Sequence, residues 1–157
     1  MKHLTPFVQQ VKLVDDDTDA CLLFEKALQK VDALFQFSCA HSGEALLADL
    51  KDAVPSILFL DLTLPGMSGM ECLKALKSNP AYQDIKVIVY SSSARMSDIA
   101  QAYERGADLF IVKPFSQSHL VNALEHVFKM EWTYECSKPT SYFINNQFVP
   151  FTQALIA

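Results

Sequence analysis

Ser56-Ile57-Leu58-Phe59-Leu60-Asp61 decides the fold. Four apolar residues run without alternation and stop at an acid, as expected of a short central strand covered on both faces. Four similar runs surround it. Val11-Lys12-Leu13-Val14 stops at Asp15, Phe35 to Ala40 stops at His41, Lys86-Val87-Ile88-Val89-Tyr90 stops at Ser91, and Leu109-Phe110-Ile111-Val112 stops at Lys113.

Helical spacing fills the intervals. Ala20, Leu23, Phe24, Ala27, Leu28 and Val31 form one amphipathic stripe, and Ala45, Leu46 and Leu50 follow the expected N-cap Ser42. Met70, Leu73 and Leu76 form a third helix, entered through Pro65, Gly66 and Gly69 and closed at Asn79-Pro80. A fourth runs from about Asp98 to Gly106, a left-handed cap, and Leu120, Val121, Leu124, Val127 and Phe128 line the last. Strands alternating with helices through short connections imply an α/β fold with right-handed crossovers. The expected architecture is a doubly wound five-stranded parallel sheet, flavodoxin-like with order 2-1-3-4-5, with helices on both faces.

With 157 residues, half of them apolar or aromatic and a fifth charged, the chain holds one core and needs no staple. Its net charge of −5 disfavours binding to a phosphate backbone, so no nucleic acid is expected. No charge occurs from Pro139 to Ala157, but Asn145, Asn146, Gln147, Pro150 and Gln153 argue against a spanning helix. No membrane insertion is expected, and the N-terminus lacks a signal peptide's apolar run. Cys21, Cys39, Cys72 and Cys136 are scattered, which reads as reduced thiols in a cytoplasmic protein.

The strand ends carry the chemistry. Asp15, Asp16, Asp17, Asp61, Ser91 and Lys113 all follow strands, and an open parallel sheet gathers such residues at its carboxyl edge. Any one of them is an ordinary loop residue; their shared position is not. Crowded carboxylates require a cation, and an all-oxygen set suits Mg²⁺. An aspartate can also be a phosphoryl acceptor, with an amine and a hydroxyl to balance the transferred charge. The acidic first turn contradicts a glycine-rich phosphate cradle, so nucleotide binding is not expected.

Leu13-Val14-Asp15-Asp16-Asp17, Leu60-Asp61 through Gly69, Val89-Tyr90-Ser91 and Gly106-Ala107-Asp108 leading to Lys113-Pro114-Phe115 together resemble the response-regulator receiver domain of two-component signalling, over roughly residues 9 to 130. The resemblance implies that Asp61 is the phosphoacceptor. It makes Asp15, Asp16, Asp61 and the carbonyl of Thr63 ligands for Mg²⁺, and Ser91 and Lys113 the phosphoryl-binding pair. Ser91 and Phe110 become the switch, with Phe110 standing where a tyrosine is frequent. Pro114 follows the peptide bond that is cis in the family, against the general trans default. Asp17 is expected to cap the first helix, and small Ser92 and Ser93 to leave the phosphoryl group open to water.

The implied function is a phosphorylation switch and not an enzyme acting on a metabolite. Its partners would be a histidine kinase or phosphotransfer protein and a downstream protein, with a homodimer through the last helix or the tail as a further expectation. The alternative is a metal-dependent phosphohydrolase. Thr63 stands where such enzymes place a second acid, which disfavours it. His119 and His126, two turns apart, and His41 read as surface or structural residues; Met67 and Met70 read as packing. The expected division is an N-terminal extension at 1–8, a receiver at 9–130, and an aromatic-containing tail at 131–157 with no output domain.

Overall fold

The structure, a computed structural model, describes residues 8–31 and 34–129 in full and 143–144 and 147–148 as backbone. The elements run β1 (Gln9–Val14), α1 (Thr18–Gln29), β2 (Phe35–Ala40), α2 (Gly43–Asp49), β3 (Ile57–Leu60) and α3 (Gly69–Ser78). A 3-10 turn (Pro80–Tyr82) leads to β4 (Lys86–Ser91), α4 (Met96–Glu104), β5 (Leu109–Val112) and α5 (Gln117–Lys129). All five strands pair in parallel, in the order β2-β1-β3-β4-β5. The expected sheet is therefore the observed one.

Handedness places the helices. α1 carries the chain outward to edge strand β2, while α2, α3 and α4 carry it the other way, so right-handed crossovers put α1 opposite those three. α5 returns beside α1. The central strands β3 and β4 are buried almost throughout, which is why they read as unbroken apolar runs. Between them and α1, Phe24 packs edge-on against Phe59 at 4.8 Å and Tyr90 at 5.4 Å between ring centroids.

Capping fixes where the loops of the carboxyl edge begin. Asp17 caps α1, accepting from the N–H of Asp19 at 2.9 Å, and Ser42 caps α2 through the N–H of Ala45 at 3.0 Å. Ser68 and Glu71 form a reciprocal capping box on α3. Helix α4 starts at Met96, two residues before the expected Asp98, because Asp98 turns back to accept from Ser93 Oγ at 2.6 Å. Gly106 takes the left-handed conformation, φ 100°, that ends this helix.

Below the carboxyl edge, Asp108 locks β4, β5 and α3 together. Its buried carboxylate accepts from the Val87 N–H at 2.8 Å and from Lys77 Nζ at 3.3 Å. Asp108→Ala strips both donors of this acceptor and is expected to cost about 2–3 kcal/mol, read by urea denaturation. A loss under about 0.5 kcal/mol would make the clamp incidental.

One sequence expectation is corrected. Cys21 on α1 and Cys39 on β2 are not separate reduced thiols but a disulfide pair, Cα atoms 6.7 Å apart. The β1–α1–β2 crossover brings together residues whose spacing in the chain carries no signal. Cys72 is free and buried, and Cys136 lies outside the described residues. The Lys113–Pro114 bond, whose isomer the sequence leaves open, is trans, as is every described peptide bond.

The expected extension at 1–8 lies outside the described residues except for Val8. Of the expected tail, the described backbone forms two short antiparallel strands, β6 (Phe143–Ile144) and β7 (Gln147–Phe148), with β7 beside α4. Among the described residues no helix is long and apolar enough to cross a membrane.

Candidate functional site

Three strand ends build the site. β1 delivers Asp15 and Asp16, β3 delivers Asp61, and β5 delivers Lys113. Carboxylate oxygens of Asp15, Asp16 and Asp61 lie within 4.8 Å of one another. Lys113 Nζ reaches between two of them, donating to Asp15 Oδ2 at 2.7 Å and Asp61 Oδ2 at 3.0 Å. The trans bond at Pro114 does not keep the lysine from the site.

Each carboxylate is also held from the backbone. Asp15 Oδ1 accepts from the N–H of Asp17 at 3.0 Å, and Asp61 Oδ1 accepts from the N–H of Thr63 at 3.0 Å. These turns orient the acids before any ligand arrives. Gly69 is required behind them, because a Cβ there would overlap the carbonyl oxygen of Asp61.

Burial governs the electrostatics. Asp15 and Asp61 are only 1% and 5% exposed, whereas Asp16 stands in solvent. Burial pushes the Asp61 carboxyl above its ordinary value of 3.8, against the Thr63 N–H and Lys113, which pull it down, and with the Asp15 charge, which adds to the rise. For Lys113, burial works to lower the ammonium, but its hydrogen bonds to the Asp15 and Asp61 carboxylates and their charges outweigh it and hold the group up. The Tyr90 ring lies under the ammonium, 5.4 Å from Nζ to the centroid, and burial raises its hydroxyl to about 12.

A carboxyl with a raised folded-state pKa binds its proton more readily folded than unfolded. Its ionisation therefore weakens the fold as pH rises through that window. Asp61→Asn carries no such charge and is expected to melt above the wild type near pH 7 in EDTA. The gap closes below about pH 4, where the wild-type acid is protonated too. Calorimetry across pH reads this; a variant melting lower at neutral pH contradicts it.

Ser91 ends β4, nearly fully buried, with its hydroxyl accepting from the N–H of Ser93 at 3.2 Å. Phe110 sits fully buried in β5, and its N–H donates to the hydroxyl of Tyr103 at 3.0 Å. Tyr103, on α4, was not singled out from the sequence; it carried only the signal of an aromatic on a buried helical stripe. The histidines take the structural places expected of them. His41 Nδ1 lies 3.0 Å from the carbonyl oxygen of Asp15, His126 Nδ1 lies 2.8 Å from that of Asn122, and His119 is exposed. Met67 and Met70 pack against the core.

Three carboxylates without sulfur or imidazole among them suit a hard divalent ion, and Lys113 already seats a positive charge on two of them. A buried, oriented carboxylate beside an amine is also suited to taking up a phosphoryl group. Thr63 carries no carboxyl two residues after Asp61, so the acid of an aspartate-based phosphohydrolase is missing at that position.

Comparison with known proteins agrees with the geometry. Residues 11–125 match the response regulator receiver domain. The chain is 30% identical to protein PilG of Pseudomonas aeruginosa over 116 residues, 74% of this chain and 84% of that protein. It is 30% identical to the chemotaxis protein CheY of Thermotoga maritima over 122 residues, 77% of this chain and 98% of that one. The crystal structure of the phosphorylated cyanobacterial phytochrome response regulator RcpA superposes with a TM-score of 0.71 at 26% identity, covering 77% of this chain and 91% of RcpA. The chain belongs to the response regulator receiver domain family, the phosphoacceptor switches of two-component signalling.

Proposed function

We propose that Asp61 accepts a phosphoryl group from a histidine kinase or phosphotransfer protein, with Mg²⁺ held by Asp15, Asp16, Asp61 and the carbonyl of Thr63. The observation that carries this reading is the Lys113 ammonium bridging two buried carboxylates at the mouth of the sheet. A bound Mg²⁺ supplies positive charge against which the carboxylates and phosphoryl oxygens can meet. Asp61 Oδ2 attacks phosphorus while the phosphorus–nitrogen bond of a phosphohistidine donor breaks, its electron pair leaving with the imidazole. The product is an acyl phosphate. Lys113 exchanges a carboxylate for a phosphoryl oxygen, and Ser91 turns its hydroxyl from the Ser93 N–H to donate to another.

That rotation frees space beside β5, into which Phe110 repacks. Tyr103 links Phe110 to α4, so the change reaches the α4–β5–α5 surface, where a downstream partner or a second copy of the chain reads it. Leu22 and Leu23 of α1, together with Phe115 after Lys113, are large exposed apolar side chains near the carboxyl edge, and Gln117 Nε2 ties the start of α5 to the Leu23 carbonyl at 2.7 Å. This surface suits the incoming phosphodonor protein. The reading places the protein in the cytoplasm, with the phosphoryl group open to water past Ser92 and Ser93.

Incubation with acetyl phosphate and Mg²⁺, followed by intact-mass analysis, tests the assignment. One phosphoryl group that hydroxylamine removes is expected, since acyl phosphates yield to that nucleophile and serine phosphates do not. A hydroxylamine-resistant product would refute it.

A further inference from the structure

The disulfide pair stands at the rim of the acidic site. Cys21 lies in the first turns of α1 and Cys39 near the end of β2, where Leu13 pairs with Cys39 and the Asp15 N–H donates to the carbonyl of Ala40 at 3.0 Å. Cys21 Sγ lies 3.7 Å from the Asp15 carbonyl oxygen. His41 Nδ1 approaches the same oxygen at 3.0 Å and Cys21 Sγ at 4.0 Å. The cluster thus shares one main-chain acceptor with the residue whose carboxylate Lys113 grips.

We propose that Cys21 and Cys39 form a reversible dithiol–disulfide switch, oxidised by a hydroperoxide, whose state reaches the acidic site through the Asp15 main chain. Three observations carry it. The Cα separation of 6.7 Å falls within the span of a disulfide. Cys39 is half-buried and open to a small oxidant, whereas Cys21 is buried beside it. Cys72, the other described cysteine, is buried with its thiol pushed up to about 11, so it keeps its proton and does not compete.

The chemistry balances. The Cys39 sulfur attacks one peroxide oxygen, the oxygen–oxygen bond breaks, and the leaving oxygen takes the thiol proton, giving a sulfenic acid and water or an alcohol. The Cys21 sulfur then displaces the hydroxyl, which departs as water with the second thiol proton. Two sulfurs lose two electrons and the peroxide oxygens gain them. A small dithiol reverses the step by exchange. In the dithiol state Cys21 regains a proton to donate to the Asp15 carbonyl, whereas the disulfide lacks that donor and ties the start of α1 to β2, so the loop carrying Asp15 and Asp16 opens less often.

The full chain, first reduced with dithiothreitol and freed of it, then treated with hydrogen peroxide, alkylated in denaturant and digested, reads the first part. Alkylatable thiols are expected to fall from four to two, with Cys21 and Cys39 in one linked fragment and dithiothreitol restoring all four. Hydrogen exchange reads the second: amides of residues 15–21 are expected to exchange about threefold more slowly in the oxidised wild type. Cys39→Ser is expected to show no such response to peroxide. Both readouts are independent of phosphorylation, so they stand or fall apart from the assignment of Asp61. Unchanged alkylation of Cys21 and Cys39, linkage through Cys72 or Cys136 instead, unaltered exchange at 15–21, or zinc bound by Cys21, Cys39 and His41 that blocks oxidation would each overturn the proposal.

Discussion

Asp61→Asn, incubated with acetyl phosphate and Mg²⁺, is expected to gain no phosphoryl group. The amide preserves the shape of the carboxyl and can still accept from the Thr63 N–H, which lies 3.0 Å from Asp61 Oδ1. It cannot supply the anionic oxygen that attacks phosphorus. Removing a nucleophile costs orders of magnitude, so labelling falls at least about a hundredfold, to the background of the assay. The predicted gain in metal-free stability near pH 7 makes misfolding a poor explanation for that loss. Labelling at the wild-type level would instead transfer the acceptor role to a hydroxyl such as Ser91, the nearly fully buried one at the end of β4.

Lys113→Met is expected to lower stability markedly in the absence of metal. The side chains of Asp15 and Asp61 are 1% and 8% exposed, and the lysine is the cation paired with both. Without it two buried carboxylates face each other uncompensated. Discounting for the partial exposure of Lys113, the cost is about 2–3 kcal/mol, or roughly 5–10 °C in melting temperature in EDTA. Mg²⁺ should return most of that loss. It should also bind the variant more tightly than the wild type, where the ammonium competes for the same oxygens. Melting curves across a Mg²⁺ titration measure both effects. A variant that melts like the wild type in EDTA, or gains nothing from Mg²⁺, would show that the lysine does not hold the place of a cation.

These expectations depend on the site to different degrees of distance in the chain. Lys113 is 98 residues from Asp15 and 52 from Asp61, yet each of the three could be nominated from one rule, that polar residues following parallel strands meet at one edge. The same rule says nothing of which oxygen the lysine touches. Nor does it separate Asp15, buried and gripped, from Asp16, exposed beside it. The contact of Tyr90 with Lys113 and the hydroxyl of Tyr103 on the Phe110 N–H have no mark in the sequence for a related reason. An aromatic in an apolar run reads as core whether or not its polar edge has a partner.

Local chemistry was enough for the sheet and its edge. Unbroken apolar runs such as Ile57 to Leu60 can only be buried on two faces, helical stripes such as that of α1 must cover them, and Asp17, Ser42 and Gly106 mark where helices begin or end. Those signals, an unbroken run, a 3.6-residue stripe and a single capping residue, are local and survive in a single string of letters. The meeting of Cys21 with Cys39 and the hold of one ammonium on two carboxylates have no such local mark. They follow from where right-handed crossovers set one element against another, a matter of a few ångströms that spacing along the chain does not encode.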